Sequence, residues 1–326
     1  MQGVKMGLFG SVKKRLVRQF IAVIIEEDRC KIKQRVIKNQ DVLHIEEYNF
    51  DIPSKDNLGS EVVAFLNDLQ EEYDNTYISL FLNTLGQGVI PLCDETQLEK
   101  FHIDKNNVKT ICVENRFMMY ATMIDVKWAD KTFDAIGLDF VFSPFLILDY
   151  FIQKEEIIKG QIVLNILNTG NALTIMISKE NQLLFGSFFN VAKDENLLYT
   201  DYADTEMPEE ENILDELDLL DDEMDIEEIG DISDNSNFVN NILKDNVKLT
   251  AQDERVIKYL SASLKEFYTN DLYNSGFINC AKIYDGAGIN DGVMQYIENE
   301  LFLDISAVNI SVRDSVIELT IKEVFA

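Results

Sequence analysis

Few side chains in this sequence of 326 residues could carry acid–base, nucleophilic or metal chemistry. Its only histidines are His44 and His102, which lie far apart along the chain. A metal site built from several histidines is therefore excluded, and Ser-His-Asp or Cys-His catalysis would have to use one of these two residues. The sequence also has no Walker A, GxGxxG, GxSxG or HExxH motif. No conventional enzyme of these classes is indicated.

Cysteines and carboxylates do not single out a site either. The four cysteines, Cys30, Cys93, Cys112 and Cys280, have no CxxC spacing. Neither a zinc site nor a disulfide framework is predicted, and a reducing cytoplasm is the simplest compartment. Asp and Glu number 58, so carboxylate pairs arise from composition alone and their spacing does not indicate acid–base catalysis.

Much of the negative charge lies in one segment, Asp201 to Asp234, which has 17 Asp or Glu and no Lys or Arg. Without this segment the formal net charge of −29 becomes −12. Like charges at this density oppose collapse into a core, so we expect an insertion at 199–245 that is disordered or is ordered only by a partner. Its alternation of acidic and apolar residues leaves open a recognition motif for a basic surface. No basic stripe is present to neutralise phosphates, so nucleic-acid binding is not expected.

The hydrophobic pattern predicts the same elements twice: three strands in a meander, then a helix and a further strand. The predicted strands of the first half are Phe20–Ile25, Cys30–Ile37, Val42–Tyr48 and Thr76–Leu82, with a helix at Glu61–Tyr73. Those of the second half are Ile162–Leu167, Leu173–Ser178, Leu183–Asn190 and Phe277–Tyr284, with a helix at Asp253–Tyr268. Two final strands are predicted at Ala307–Val312 and Val316–Ile321. The repetition predicts two related α/β lobes that face a cleft.

A basic leader precedes the first strand. Lysines or arginines occur at positions 13, 14, 15 and 18, and apolar residues recur between Leu8 and Phe20 at roughly helical spacing. Two interpretations stay open: a frayed leader, or a weak contact of residues 6–20 with an anionic membrane surface. The most apolar stretch, Ala135–Ile152, is interrupted by charged residues and a proline, so no transmembrane helix is expected.

Several segments, taken in order, resemble the actin-like ATPase superfamily, in the branch that contains PilM of type IV pili, FtsA, and GspL of type II secretion. GLFGSVKKR and FIAVIIEEDRCKIK are similar to the opening of PilM. IGLDFVFSPFLILDYF is similar to the end of the first lobe, and QIVLNILNTGNALTIMISKENQLLFGSFFNV to the hairpin that opens the second. INCAKIYDGAGINDGVMQYIENELFLDI is similar to the strand, glycine turn and helix that touch adenosine. The resemblance covers most of Gly7–Ile305.

This resemblance implies a duplicated actin-like (ribonuclease H-like) fold of two α/β lobes. A leader at 1–19 would precede a first lobe at 20–155, which contains an inserted subdomain at about 93–155. The second lobe would span 156–326 and would contain the acidic insertion.

The nucleotide motifs that the resemblance implies are degenerate. In this family the first hairpin has an acidic strand residue and a turn of small residues, which let backbone N–H groups approach phosphates. Here Ile24 replaces the acid, and the turn is Glu26-Glu27-Asp28-Arg29. In the second lobe Asn165 stands where the family has Asp, although Thr169 and Gly170 could still form a turn.

The best-kept nucleotide element is the turn that contains Asp285, Gly286 and Gly288, although glycines there could also serve a strand-to-helix turn without any ligand. A vestigial cleft, if one remains, would use Asn165, Thr169, Gly170, Asp285, Gly286 and Gly288. We expect neither hydrolysis nor tight binding of ATP, and no metal or other cofactor.

The resemblance then implies a cytoplasmic scaffold, a pseudo-ATPase that is peripheral at the inner membrane. It would bind the cytoplasmic tail of a bitopic inner-membrane protein of the PilN type and help assemble a cell-envelope machine, such as a type IV pilus, a type II secretion system or a flagellar motor. It would contact a ring or motor component and form homo-oligomers there. The alternative is an active actin-like ATPase that forms rings or filaments with ATP and Mg²⁺.

The docking groove would lie between Phe20–Leu92 and the subdomain around Thr110–Ile152. Phe117, Tyr120 and Trp128 could anchor a partner in this groove. Ordinary core packing is at least as good an interpretation of each of these aromatic side chains.

Overall fold

The computed structural model describes residues 17–192 and 249–325. The predicted insertion at 199–245 and residues 1–16 of the predicted leader lie outside the described residues. The described chain forms two five-stranded sheets and one three-stranded sheet, with helices packed on their faces. The mixed α/β class is confirmed.

The first lobe is built on five strands: β1 (Val17–Ile25), β2 (Arg29–Lys38), β3 (Asp41–Asp51), β4 (Thr76–Phe81) and β8 (Phe140–Phe142). Their order in the sheet is β3-β2-β1-β4-β8, with an antiparallel meander of β1 to β3 and parallel pairing of β1, β4 and β8. Helix α1 (Gly59–Glu72) buries Val62, Leu66 and Leu69 against one face, because these side chains recur at helical spacing.

Between β4 and β8 the chain forms a small subdomain. A 3-10 helix (Glu95–Phe101) accompanies three antiparallel strands: β5 (Gln87–Ile90), β6 (Val108–Val113) and β7 (Phe117–Thr122). β7 lies in the middle of this small sheet and is followed by helix α2 (Met123–Thr132). Helix α3 (Pro144–Ile152) begins after β8. Both Nη atoms of Arg116 lie 2.6 Å from the carboxylate oxygens of Asp149 on α3, which ties the subdomain to this helix.

The second lobe repeats the first. Its strands are β9 (Ile162–Asn168), β10 (Ala172–Lys179), β11 (Gln182–Asn190), β12 (Cys280–Asp285) and β13 (Asp304–Asn309). Their order is β11-β10-β9-β12-β13, again a meander with two further parallel strands. Helix α4 (Ala251–Thr269) and helix α5 (Asp291–Asn299) pack on this sheet through an apolar cluster. The predicted duplication is confirmed.

The last helix, α6 (Val312–Phe325), includes the segment Val316–Ile321 that was predicted as a strand, so that prediction is wrong. The β-branched residues there favour a strand locally, but Val316, Leu319 and Thr320 recur at helical spacing and are buried together. Helix α6 packs against β1, β2 and β4 of the first sheet. The predicted second lobe, 156–326, thus contributes its final helix to the first lobe.

A cluster of ion pairs fixes helix α6 to the first sheet. On β2, the side chains of Lys33 and Arg35 are only 9% and 12% exposed. Lys33 Nζ lies 2.6 Å from Asp314 Oδ2 and 2.8 Å from Glu47 Oε1. Arg35 Nη2 lies 2.8 Å from Asp314 Oδ1, and its Nη1 contacts Glu318. Because a buried cation without a partner is costly, these contacts hold α6 in place.

Cys93 and Cys112 form a disulfide, with their Cα atoms 5.3 Å apart, so the prediction of no disulfide is wrong. The loop after β5 brings Cys93 past the end of β7 to β6, where it meets Cys112. The two cysteines are 19 residues apart in sequence, so no short spacing motif marks the pair. This bond removes the cysteine argument for a reducing compartment. Cys30 is buried in the first lobe, and burial raises the pKa of its thiol to about 12.

The two lobes also touch directly, where β5 of the small sheet lies against β11 of the second lobe. A Cβ atom at Gly186 on β11 would lie 2.2 Å from Cγ2 of Val89 on β5, so only glycine permits this approach. A single apolar cluster contains Phe20 and Phe145 of the first lobe together with Leu167 and Tyr284 of the second. The lobes therefore share a core.

Replacing Asp314 with Asn should lower the free energy of unfolding and make that free energy depend less on pH in the acid range. Burial alone would raise the pKa of the Asp314 carboxyl, but hydrogen bonds from Lys33 and Ser311 outweigh burial, and the pKa lies below its ordinary value. Its stabilising contribution is thus present above the unfolded pKa of about 4 and is lost as the pH falls through the lower folded pKa. At neutral pH we expect a loss of about 1–2 kcal/mol in the free energy of unfolding, kept modest because the side chain is 33% exposed.

Urea unfolding of the wild type and the Asp314→Asn variant at a series of pH values tests this expectation. The control is Glu323→Gln, an exposed position on the same helix. An Asp314→Asn curve that matches the control at every pH would contradict the structural role of the ion-pair cluster.

Candidate functional site

The turns of the two meanders face one cleft between the lobes. A cavity of about 240 Å³ lies where the β1–β2 turn, the β9–β10 turn, the residue after β12 and the start of α6 come together. Its lining residues are Ile24, Glu26, Lys31, Phe81, Asn83, Thr169, Asn171, Gly286 and Ile310 to Arg313. This cleft is the candidate functional site.

The β1–β2 turn places carboxylate side chains at the cleft and does not expose backbone N–H groups there. The N–H of Glu26 donates to the carbonyl oxygen of Arg29 at 2.8 Å, which closes the turn. Lys31 Nζ lies 2.5 Å from Glu26 Oε1, so this carboxylate is already paired within the hairpin. Ile24 lines the cavity at the position where the family resemblance implies an acid. The turn therefore offers no cradle of backbone N–H groups made accessible by glycine.

The carboxylate of Asp285 holds the glycine turn that follows β12. Its Oδ1 accepts the backbone N–H groups of Ala287 at 3.1 Å and Gly288 at 3.0 Å, and its Oδ2 accepts the N–H of Ile289 at 2.7 Å. Asn168 Nδ2 donates to Oδ1 at 2.8 Å. The side chain is only 6% exposed. Asp285 is thus used to brace the turn.

Asn168, which sequence reasoning missed, is the polar residue at the end of β9 that faces this site. Its Oδ1 accepts the N–H of Gly170 at 3.0 Å, so one amide connects the β9–β10 turn to Asp285. Asn165, which was predicted for the cleft, lies within β9, and its Nδ2 donates to Met176 O and Ser178 Oγ. It lines a different, small cavity, so its predicted place in the cleft is wrong. The missed signal was the position of Asn168 directly before Thr169-Gly170 at the strand end.

Of the predicted glycines, Gly170 and Gly288 line a second cavity, of about 350 Å³, between the β9–β10 turn and the start of α5, whereas Gly286 lines the first. Gly170 has φ +86° and Gly288 has φ +92°, values that favour glycine. A Cβ atom at Gly170 would lie 3.0 Å from Cβ of Ala287, so the two turns are in close contact. Thr169 lies in the first cavity, where its Oγ1 donates to the carbonyl of Ala172 at 3.2 Å.

The largest of these cavities, about 440 Å³, lies between the first lobe, the small subdomain and the second lobe, and we call it the interlobe pocket. Its lining residues are Ile25, Glu26, Glu27, Lys55, Asn83 to Gly86, Thr122, Ile124, Asp125, Trp128, Asn171, Asn190 and Ala192. Three carboxylates and one lysine give it a net negative charge, and apolar side chains lie among them. Ile124, at the start of α2, is 80% exposed.

Three buried polar atoms belong to residues that line the interlobe pocket and have no hydrogen-bond partner among the described residues. They are Asn83 Oδ1, Thr84 Oγ1 and Trp128 Nε1. Two can accept a hydrogen bond, and the hydroxyl and the indole N–H can donate one. Five further polar side-chain atoms of the described residues are also buried without a partner, so this feature is not confined to the interlobe pocket.

The three aromatic residues predicted as anchors have different positions. Phe117 is 0% exposed and belongs to the core, so core packing is the correct one of its two interpretations. Tyr120 packs beside Gly88, where a Cβ atom would lie 2.3 Å from its hydroxyl, and burial raises its pKa. Trp128 does line the interlobe pocket. Ile124 beside it was missed, because helical periodicity alone does not show which face of α2 stays exposed.

Within residues 17–192 and 249–325, no three His, Cys, Asp or Glu side chains are grouped to hold a metal ion. No helix in these ranges is both long enough and apolar enough to cross a membrane.

Both lobes have the same strand order, and the turns of both meanders meet at the cleft between them. The chain has the duplicated actin-like fold. Residues 17–149 match the family model described as Domain of unknown function (DUF8569), and residues 164–325 match the model described as Domain of unknown function (DUF8341). No curated protein matches the chain.

Several solved structures are similar to this chain at low identity. A protein with actin-like ATPase fold and unknown function from Bacteroides thetaiotaomicron VPI-5482 is 11% identical over 93% of this chain and 94% of that one, with a TM-score of 0.49. The PilM-PilN type IV pilus biogenesis complex is 11% identical over 89% and 88%, with a TM-score of 0.47. The activator of the 2-hydroxyisocaproyl-CoA dehydratase from Clostridium difficile with bound ADPNP is 10% identical over 94% and 98%, with a TM-score of 0.37. Identities this low concern the fold and transfer no function.

Replacing Asp285 with Ala should destabilise the actin-like second lobe and loosen its glycine turn. The substitution leaves three backbone N–H groups and the amide of Asn168 without their acceptor in a buried position. We expect a loss of about 2–4 kcal/mol in the free energy of unfolding, since each buried donor left unpaired costs about 1–3 kcal/mol and the turn can relax. Denaturant unfolding and hydrogen exchange of residues 287–289 measure both effects. The exposed Asp291 to Ala change, six residues along, is the control and should cost less than about 1 kcal/mol.

Proposed function

We propose that this chain is a PilM-like scaffold and a pseudo-ATPase, located in the cytoplasm at the inner membrane. It binds the cytoplasmic tail of a bitopic inner-membrane protein of the PilN type and helps assemble a cell-envelope machine of the type IV pilus, type II secretion or flagellar-motor kind. In that assembly it contacts a ring or motor component and further copies of itself. The sequence resemblance to the PilM branch and the actin-like fold support the general role.

The observation that carries the pseudo-ATPase part of the proposal is the acidic β1–β2 turn. Glu26 lines the cleft and Glu27 lines the neighbouring interlobe pocket. Two cations line the cleft, and both are paired: Lys31 with Glu26, and Arg313 with Glu47. A triphosphate placed there would meet like charge and would find no open backbone N–H groups. Asp285, the acid at the end of β12, already accepts three backbone N–H groups and the amide of Asn168. The acids of these two turns, Glu26 and Asp285, are therefore used to hold the hairpin and the glycine turn.

The interlobe pocket supports the docking part of the proposal, because its chemistry fits a basic tail. Three carboxylates, Glu26, Glu27 and Asp125, line its wall with one lysine, Lys55, and Lys31 neutralises Glu26. Ile124 and Trp128 provide apolar contacts. Cytoplasmic segments next to membrane-spanning helices are enriched in Lys and Arg. A short tail with one apolar anchor and flanking basic residues would complement this pocket in both charge and shape.

Replacing Ile124 with Asp should abolish partner binding without unfolding the protein, since the side chain is 80% exposed. The buried charge would oppose an apolar anchor, and we expect recovery of the membrane protein to fall at least about tenfold. The measurement is crosslinking in cells followed by mass spectrometry of the enriched membrane proteins. Ile111 to Asp is the matched control, because Ile111 is 60% exposed on β6 and does not line the pocket. Equal recovery with both variants, or no inner-membrane protein with the wild type, would contradict the docking site.

Calorimetric titration of the purified chain with ATP and Mg²⁺ tests the nucleotide part. We expect no heat and no thermal shift at millimolar nucleotide. Micromolar binding would show that the turn at Glu26 to Arg29 does not exclude phosphates. It would then favour the alternative, an active actin-like ATPase that forms rings or filaments, which nucleotide-dependent sedimentation would detect. The glycine turn and the 350 Å³ cavity beside it are the observations that keep this second candidate in view.

A further inference from the structure

The disulfide between Cys93 and Cys112 lies at the surface of the small subdomain. Cys112 is an exposed residue of β6, the outer strand of the small sheet, and Cys93 is half-buried in the loop after β5. No other described strand lies beyond β6. A reagent in solution can therefore reach the bond, and it meets the sulfur of Cys112 first.

The other two cysteines do not compete with this pair. Cys30 lies on β2 of the first lobe and Cys280 on β12 of the second, and neither forms a disulfide. Burial raises the pKa of the Cys30 thiol to about 12 and also raises the pKa of the Cys280 thiol. Both thiols stay protonated at neutral pH, and a protonated thiol is a poor nucleophile. The chain thus has one cysteine pair that is open to thiols in solution.

Each sulfur of the pair also lies beside an acceptor that a thiol could use. Sγ of Cys93 lies 3.1 Å from the carbonyl oxygen of Phe117, and Sγ of Cys112 lies 3.6 Å from Oδ1 of Asn115. A disulfide sulfur has no proton to donate, whereas a thiol S–H is a weak donor. Reduction therefore gives each sulfur a hydrogen bond at its present position. The site accommodates the dithiol as well as the disulfide.

The small sheet has contacts that do not involve the bond. Backbone ladders join β5 to β7 and β7 to β6. Arg116 ties the subdomain to Asp149 on α3, and Val89 lies against Gly186 on β11. Because these contacts persist when the bond is reduced, we expect the sheet to stay folded in the dithiol state.

The segment that depends on the bond is the 3-10 helix between the two cysteines. Leu98 is its one buried residue, and the apolar cluster around it has three buried members. A side-chain hydrogen bond of 2.6 Å from Thr110 to Glu95 also joins the helix to β6. The helix ends at Phe101, whose ring centroid lies 6.0 Å from that of Tyr273 in the second lobe. With so few apolar contacts, the helix needs the disulfide to hold it firmly to β6.

We propose that Cys93 and Cys112 form a reversible thiol–disulfide exchange site for low-molecular-weight thiols such as glutathione, and that their redox state sets how firmly the 3-10 helix is held. The pair lines neither the cleft nor the interlobe pocket, so this site is independent of the proposed function. In reducing compartments disulfides are usually transient and serve catalysis or redox sensing, which fits an accessible pair of this kind.

The exchange consumes two thiol molecules. A thiolate RS⁻ attacks Sγ of Cys112 and forms a mixed disulfide, and the bond to Cys93 breaks with its electron pair on Cys93, which takes up a proton. A second thiolate attacks the R sulfur of the mixed disulfide, which releases RSSR and leaves Cys112 to take up a second proton. The protein disulfide thus gains two electrons and two protons while two RSH become RSSR. Reaction of the dithiol with RSSR closes the bond again.

Reduction of the purified full chain by millimolar reduced glutathione tests access to the bond. The chain is first treated with oxidised glutathione, and free thiols are later trapped with a maleimide and located by peptide mass spectrometry. Cys93 and Cys112 should become labelled at a rate within about tenfold of that for the chain unfolded in urea. Cys30 should stay unlabelled and report that the fold is intact. A slower native rate, or a bond that does not form in oxidised glutathione, overturns the proposal.

Two single variants test which sulfur is attacked. Cys93→Ser leaves the Cys112 thiol free, and Cys112→Ser leaves the Cys93 thiol free. Oxidised glutathione should form a mixed disulfide at Cys112 at least about tenfold faster than at Cys93, because Cys112 is the more exposed residue. Equal rates would show that Cys112 is not the point of entry.

Hydrogen exchange of the oxidised and reduced chains tests the effect on the helix. The amides of residues 95–103 should exchange at least about tenfold faster after reduction, while those of β12 stay unchanged. The control is the double variant with Cys93→Ser and Cys112→Ser, which should match the reduced wild type and should not respond to glutathione. Equal exchange of residues 95–103 in the oxidised and reduced wild type contradicts the proposal, since the bond would then not hold the helix.

Discussion

Two nearly buried cations impose the constraint on which the rest of this structure depends. Lys33 and Arg35 lie on β2 beneath α6, and the carboxylates that neutralise them come from α6 and from β3. Together with the apolar packing of Val316, Ile317 and Leu319, these ion pairs hold the final helix against the first lobe after β13 has completed the second sheet. The segment at its start, 310–313, forms one wall of the cleft. Contacts outside the cleft therefore hold this wall in place.

Within the cleft, side chains that could support chemistry serve structural roles. Asp285 accepts backbone N–H groups that would otherwise be unpaired, and Asn168 joins it to the turn of the other hairpin. Glu26 is paired with Lys31 across its own hairpin. Each of these contacts makes a turn more rigid and leaves one group fewer for a ligand. Both cavities also have lining residues with a buried polar atom that lacks a partner among the described residues: Asn83 in both, Arg313 in the cleft, and Thr84 and Trp128 in the interlobe pocket.

The sequence was sufficient to predict the two meanders, because their strands are long apolar runs separated by short turns. It was not sufficient for α6, whose β-branched residues have strand propensity and become helical only by packing on the first sheet. The positions of Asn165 and Asn168 within β9 could not be distinguished by residue type, since only the register with β10 and β12 decides which one reaches the cleft. The disulfide of Cys93 and Cys112 depends on a loop crossing that local pattern does not encode. Phe117 shows the same limit, because burial depends on the whole core.

The close contact of Gly186 with Val89 has a mechanical consequence. It joins the small sheet to the second lobe on one side, while the shared apolar cluster joins the lobes beneath the cleft. Rotation of one lobe away from the other would have to break a contact at which the strand backbone itself touches its neighbour. The contact at Gly186 therefore opposes separation of the small subdomain from the second lobe.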